Sequence, residues 1–105
     1  MFVRNITGYR MADEDDLVEA LASSLEQDLL IAFGPMIYGQ LLYKSLGYTS
    51  ADAFRQAVSR QSVPVETFPI EGRRGKFALT RDVAKWIATQ KVNNSQLATK
   101  EAKYE

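Results

Sequence analysis

Two glycines that bracket a pair of arginines constrain the fold of this chain more than any other feature. The segment Gly72-Arg73-Arg74-Gly75 places residues that tolerate tight backbone turns around side chains that stay in water. A lysine and a short apolar run follow over 76–79, and Thr80 then opens a helical pattern. We therefore expect a β-hairpin with its tip at 72–75, a return strand over 76–79, and a closing helix capped by Thr80.

An amphipathic helix is predicted near the start of the chain, over 13–33. Its apolar positions recur at spacings of three and four and are Leu17, Val18, Leu21, Ala22, Leu25 and Leu29. Acidic residues crowd its first turn, where they complement the positive end of the helix dipole. Gly34-Pro35 should end it, because proline cannot continue a helix and glycine suits a left-handed cap. Residues 1–12 have no firm period and precede this helix as a short strand or an irregular arm.

Two shorter helices are predicted next, separated by a turn. The first spans 37–46, and its inward positions are Ile37, Leu41, Leu42 and Leu46. Gly47 directly after it fits a helix C-cap, and Thr49 with Asp52 resembles a capping box. The second helix spans about 50–60, and its inward positions are Phe54, Ala57 and Val58. Two short helices joined by a three-residue turn that contains glycine form a helix-turn-helix unit.

The remaining segments complete a mainly helical domain with a small β-hairpin. Valine, threonine and phenylalanine make 63–70 extended by propensity, while Pro64 and Pro69 confine it to an edge or a strand end. In the closing helix the core positions are Val83, Trp86, Ile87 and Gln90. From Val92 the sequence is polar and aperiodic, which predicts a loose tail or a frayed helical extension over 92–105.

Composition narrows the chemistry available to the chain. It contains no cysteine and no histidine, so disulfides, thiolate zinc sites and a histidine general base are excluded. No P-loop sequence occurs, and Asp52, Glu66 and Asp82 are too scattered to predict paired catalytic carboxylates. We expect no enzymatic activity, no metal, no cofactor and no small-molecule substrate. The chain shows neither a membrane-length apolar run nor a signal-peptide core at its start, which favours a cytoplasmic protein without membrane contact.

A net charge of zero conceals a division along the chain. Residues 1–35 carry seven acids and two bases, whereas residues 36–91 carry nine bases and four acids. Such asymmetry between halves indicates nucleic-acid contact by the basic part. The alternative is that an acidic helix and a basic body complement each other within one fold.

The basic part offers two candidate binding surfaces. One is the start and outer face of the second short helix, formed by Ser50, Arg55, Gln56, Ser59 and Arg60. Arginine can donate two hydrogen bonds to guanine and glutamine can pair similarly with adenine, while serine contacts set position on phosphates. The other surface is the hairpin tip, formed by Arg73, Arg74 and Lys76. It suits the phosphate backbone or a minor groove. The alternatives are an ordinary solvated helix face and an ordinary charged turn.

Several short stretches carry a resemblance to a known family. They are Leu46-Gly47, the helix at 50–60, Val63-Pro64-Val65, Arg73-Arg74-Gly75 and Trp86-Ile87. Their order over 36–90 resembles the winged helix-turn-helix of the MerR and excisionase group, and is similar to small phage and plasmid regulators of the pyocin-activator type. The resemblance covers about half the chain. It implies a DNA-binding domain over 36–91, preceded by an acidic arm and helix over 1–35 that has no counterpart in the minimal excisionases.

Three functions are consistent with these patterns. The first is sequence-specific binding of double-stranded DNA by a transcription regulator or recombination directionality factor of a bacterium, plasmid or phage. A unit this small makes few phosphate contacts, so it would act as a homo-oligomer, with 13–33 as the candidate for self-association. The second is a protein-interaction adaptor that uses the winged fold and the acidic helix. The third is an enzyme subunit or nuclease accessory, which would need a concave carboxylate cluster.

Overall fold

The computed structural model describes the backbone of residues 14–101 and the side chains of residues 14–94. Its elements, in chain order, are α1 (Glu14–Phe33), β1 (Met36–Tyr38), α2 (Gly39–Ser45), α3 (Ala51–Ser59), β2 (Phe77–Leu79) and α4 (Thr80–Glu101). The fold is mainly helical with a small antiparallel sheet, as the sequence predicts. The predicted arm over 1–12, the first predicted helical residue Asp13, and residues 102–105 lie outside the described residues. None of the helices within 14–101 combines the length and apolar character that crossing a membrane requires.

The long first helix forms where the sequence predicts it. Acidic residues 14–16 occupy the first turn of α1, where they favour the positive end of its dipole. The helix ends at Phe33, directly before Gly34-Pro35. The Gly34 N–H closes the last turn by donating to the Leu30 carbonyl at 2.9 Å. A local signal, glycine followed by proline, therefore sets the end of this element.

α1 packs along α4, and the contact forms a core of its own. The buried residues of this contact are Val18, Ala22, Ala88 and Val92. Leu21 and Leu25 of α1 are partly buried beside them. An exposed ion pair crosses the same contact, with Lys85 Nζ 3.3 Å from Glu19 Oε2. The inner stripe of α1 is thus covered by the closing helix of the same chain.

The contact with α1 also helps to explain why α4 continues past Val92, where the sequence becomes polar. The sequence becomes polar from Val92, but the helix continues to Glu101. Of the two alternatives for this segment, a helical extension matches the backbone through 101. Val92 is buried against α1, and tertiary packing of this kind stabilises a helix where local propensity is weak.

A second core lies under the helix-turn-helix segment. Its buried members are Ile37, Leu42, Leu46, Phe54, Ala78 and Val83. Trp86 and Ile87 of α4 are half-buried against it, which agrees with their predicted inward positions. Two other predicted inward positions are wrong, because Leu41 and Gln90 are exposed. α4 therefore contributes to both cores, with Val83, Trp86 and Ile87 in this one and Ala88 and Val92 in the contact with α1.

The segment predicted as the first turn of a helix from 37 is a strand instead. Met36–Tyr38 pairs antiparallel with Phe77–Leu79, with Ile37 opposite Ala78. A β-branched residue shortly after Pro35 fits an extended backbone, and both Ile37 and Ala78 are buried in the pairing. The partner strand lies far along the chain, so local periodicity does not reveal it. α2 is correspondingly shorter than predicted and begins at Gly39.

The predicted hairpin is reduced to a loop closed by one bridge. Phe68 and Phe77 exchange two backbone hydrogen bonds, each of 2.9 Å, and their rings stack. Regular strand is absent from the rest of 63–70, where Pro64 and Pro69 lack the N–H that a strand ladder needs. The predicted return strand forms over 77–79, but β1 is its main partner.

The loop over 69–76, which we name the wing, has an ordered turn before its arginines. The Arg73 N–H donates to the Ile70 carbonyl at 3.0 Å. Gly72, the third residue of this turn, has a φ of 79°, which L-residues with side chains rarely adopt. Glycine at 72 therefore performs the turning role that the sequence predicts for it.

Thr80 ties the start of α4 to the end of α1. Its N–H donates to the Pro35 carbonyl at 2.9 Å, and its hydroxyl donates to the Gly34 carbonyl at 2.6 Å. The side chain is fully buried. The sequence predicts Thr80 as the cap of the closing helix; it is instead the first residue of that helix, and its hydroxyl bonds to a different part of the chain.

We expect Thr80→Val to lower the free energy of unfolding by about 1–2 kcal/mol, because it removes a buried hydrogen bond without changing side-chain shape. Urea unfolding followed by circular dichroism measures this. Thr89→Val is the matched control, since its hydroxyl donates within α4 to the Lys85 carbonyl at 2.9 Å, and a local bond of this kind contributes little. Equal losses for the two variants would contradict the linking role of Thr80.

Candidate nucleic-acid interface

The turn between α2 and α3 is held by its own backbone. The Gly47 N–H donates to the Lys44 carbonyl at 3.0 Å, and the Tyr48 N–H donates to the Tyr43 carbonyl at 2.9 Å. These paired bonds form a Schellman motif, with Gly47 at the left-handed position as the sequence predicts. Tyr48 then packs against Phe54 of α3, with ring centroids 5.7 Å apart. The turn therefore fixes the direction in which α3 begins.

Ser50, a predicted contact residue, caps α3. Its Oγ accepts a hydrogen bond from the Ala53 N–H at 3.1 Å. The predicted cap, Thr49, is one residue too early. Serine in an extended conformation directly before a helix satisfies an N–H that the helix itself cannot. The exposed Ser50 hydroxyl thus has a local structural role.

α3 has the two faces that the sequence predicts. Phe54 and Ala57 are buried and Val58 is half-buried. The exposed residues of the outer face are Arg55, Gln56, Ser59 and Arg60. Arg60 is the C-cap of the helix. One side of α3 therefore anchors it to the core and leaves four polar side chains in solvent.

Arg55 is paired within its own helix. Its Nη2 donates to Asp52 Oδ1, one turn earlier on the same face. Both side chains are largely exposed, so the pair contributes little stability. Its effect is to orient the guanidinium and to place a carboxylate beside it.

α3 and the wing line the same groove. Arg55 and Ser59 contribute from α3, and Arg74 and Lys76 contribute from the wing. The groove has a volume of about 710 Å³. Its apolar lining residues include Tyr38, Tyr43, Phe54 and Val58. Among the described residues that line it, three are basic and none is acidic.

The groove gathers half of the predicted contact residues. Arg55, Ser59, Arg74 and Lys76 line it, while Ser50, Gln56, Arg60 and Arg73 do not. Arg73 is exposed on the wing and directly precedes Arg74 in the sequence. The sequence places these residues in two separate patches, and the pairing of β1 with β2 brings the patches together.

Four groove residues come from outside α3 and the wing, and they are Tyr38, Gly39, Gln40 and Tyr43. Tyr38 ends β1 and Gln40 is in the first turn of α2. Tyr38 reaches the groove because its strand pairs with β2, where its ring lies 5.0 Å from that of Phe77. The sequence offers Tyr38 either as a phosphate contact through its hydroxyl or as a partly buried structural residue, and nothing local signals Gln40.

Comparison with known proteins finds no family model, curated protein or solved structure that matches this chain. Among the side chains of residues 14–94, no three acidic residues come close enough together to hold a metal ion. The chemical character of the groove between α3 and the wing is therefore the basis for inferring a function.

We expect Ser50→Ala to destabilise the protein by about 1 kcal/mol, because α3 loses the side chain that satisfies its first turn. Thr49→Ala, at the neighbouring exposed position, should change the free energy of unfolding by a few tenths of a kcal/mol at most. Chemical denaturation of both variants tests this directly. The opposite ranking would restore Thr49 as the cap.

Proposed function

We propose that this chain binds double-stranded DNA sequence-specifically, as a transcription regulator or an excisionase-like recombination directionality factor of a bacterium, plasmid or phage. The observation that carries the proposal is the groove in which Arg55 and Ser59 of α3 face Arg74 and Lys76 of the wing. A helix face and a basic loop that share one concave surface can contact base edges and phosphates at the same time. Such a protein would act in the cytoplasm.

The order of elements supports a winged helix-turn-helix. Two short helices joined through a glycine-capped turn are followed by a basic loop, a strand and a closing helix. α3 is the second of the two helices, the position whose exposed face enters the major groove in helix-turn-helix proteins. The wing, although closed by one bridge only, sits beside that helix and carries the cations.

The division of roles follows from the chemistry of each side chain. Arg55 can donate two hydrogen bonds to guanine, and Gln56 on the same exposed face can pair with adenine. Arg74 and Lys76 would neutralise phosphates, with Arg73 available to extend that contact along the backbone. Ser59 can contact either a base or a phosphate.

The position of the acidic helix is consistent with this orientation. α1 carries six acids and no base. It packs on α4 through Val18 and Ala22, and none of its residues lines the groove between α3 and the wing. DNA would therefore approach the basic side of the molecule, where repulsion from the acids of α1 is weakest.

A homo-oligomer is part of the proposal. A single nine-residue α3 and one short wing make few contacts with DNA, and helix-turn-helix proteins commonly bind two half-sites as dimers. Self-association through the apolar positions of 13–33 is predicted from the sequence, but Val18 and Ala22 of that set are buried against α4. A second copy would instead need a different surface.

We expect binding to random duplex DNA to weaken steeply with salt, and Arg74→Ala/Lys76→Ala to make the slope of log K against log salt shallower by about 1 to 2. Fluorescence anisotropy over a salt series measures this. Arg81→Ala/Lys85→Ala is the matched control, because it removes the same charge from α4 outside the groove. A control slope reduced as much as that of the wing variant would leave the groove without a special role.

We further expect Arg55→Ala and Asp52→Asn to separate sequence reading from general affinity. Arg55→Ala should cost about 1–3 kcal/mol of discrimination between a selected site and a scrambled duplex. Asp52→Asn should tighten binding to both duplexes, because it removes a carboxylate that repels phosphate and competes for the Arg55 guanidinium. Selection from randomised duplexes, followed by competition binding, tests both outcomes. Unchanged discrimination in Arg55→Ala would place base reading elsewhere.

The aromatic lining of the groove favours a second candidate, a protein-interaction adaptor. Tyr38, Tyr43 and Phe54 offer apolar surface that phosphate contacts do not use, and a basic rim around an apolar floor suits a partner segment with acidic and apolar residues. The same salt series distinguishes the two functions. A wild-type protein that fails to bind duplex DNA at low salt would favour the adaptor.

A further inference from the structure

Exposed apolar side chains gather where α1 ends and α2 begins. Phe33, Tyr38 and Leu41 are 40%, 61% and 51% exposed, and all three line one groove on the surface. Adjoining large apolar side chains on a soluble protein commonly mark an interaction surface. We name this surface, lined by residues 32, 33 and 36–41, the α1–α2 groove.

The α1–α2 groove is lined by uncharged residues, and the residues at its two borders carry opposite charges. None of the described residues that line it is charged. Asp28 lies one helical turn before Ala32 on α1, and Lys44 lies three residues after Leu41 on α2, so each shares a helix face with a lining residue. Both are exposed. The surface is therefore apolar in the middle, acidic at one border and basic at the other.

We propose that the α1–α2 groove pairs with the same groove of a second copy across a two-fold axis. In such an interface each patch meets itself, so an uncharged centre avoids like-charge repulsion. With the axis running between the two borders, Asp28 of each copy faces Lys44 of the other. A partner of a single charge sign would meet repulsion at one of these borders, whereas an identical copy does not.

Other apolar residues of α1 lie outside the α1–α2 groove. Val18 and Ala22 are buried against α4. Ile31, although 86% exposed, lies about half a turn around the helix from Ala22 and does not line the groove. Ile31 therefore provides a control that is more exposed than Phe33 and belongs to the same helix.

The position of this groove suits the proposed DNA contact, on which this step rests. Tyr38, Gly39 and Gln40 line both the α1–α2 groove and the groove between α3 and the wing. A two-fold contact at the α1–α2 groove would place the two copies of the groove between α3 and the wing beside each other. Two reading helices presented side by side are what paired half-sites require.

Sedimentation equilibrium of the whole chain tests the interface. We expect a wild-type dimer, a loss of affinity of at least tenfold for Leu41→Ser and for Phe33→Ser, and a wild-type dimer constant for Ile31→Ser. Thermal melts by circular dichroism establish that each variant remains folded. A monomeric wild type, or a dimer weakened by Ile31→Ser and not by Leu41→Ser, would overturn the proposal.

Charge reversal tests the two-fold arrangement without removing apolar surface. Asp28→Lys and Lys44→Asp should each weaken the homodimer, because each creates two like-charge contacts. An equimolar mixture of the two variants should regain the wild-type affinity, since both contacts in the heterodimer then join opposite charges. A mixture as weak as its components would overturn the arrangement.

DNA binding by the Leu41→Ser monomer separates this proposal from the function it rests on. A wild-type monomer that binds duplex DNA with the expected salt slope would overturn the dimer and leave DNA binding intact. A wild-type dimer, lost in Leu41→Ser, that never binds duplex DNA at low salt would support the interface and overturn the proposed function.

Discussion

Two hydrogen bonds from Thr80 to the Gly34-Pro35 turn hold the parts of this protein in register. They join the place where α1 ends and β1 begins to the place where β2 ends and α4 begins. Beside them, β1 and β2 pair through three residues each, too few for an independent sheet in water. The buried Thr80 contacts and the core beneath them therefore stabilise the pairing. The segment 39–76, which contains α2, α3 and the wing, begins and ends at this junction.

The groove between α3 and the wing depends on the same junction. Tyr38 at the end of β1 and Lys76 just before β2 are brought to one side because Tyr38 pairs with Phe77. The Phe68–Phe77 bridge closes the wing, and Arg74 and Lys76 of the wing line the same groove as α3. Three elements that are distant in the sequence thus contribute cations and aromatic rings to one concave surface.

The sequence predicts well the features that local chemistry determines. Gly34-Pro35 ends α1, Gly47 caps the end of α2, and the alternation of apolar and charged residues separates the two faces of α3. It fails where a distant partner decides the outcome. Ile37 is a strand residue because Ala78 lies opposite it, and Val92 is buried because α1 covers it. Within the candidate site, Arg55 and Arg74 can each be recognised from the local sequence as contact residues. The local sequence does not show that they line the same groove.

α4 belongs to both cores and joins them in one element. At 22 residues it is about 33 Å long. Val83, Trp86 and Ile87 pack under the helix-turn-helix segment. Ala88 and Val92 pack against α1. The residues of the two cores thus follow one another within about three turns of the same helix, so neither core can lose α4 without exposing the other. The two cores are therefore expected to unfold in a single cooperative transition.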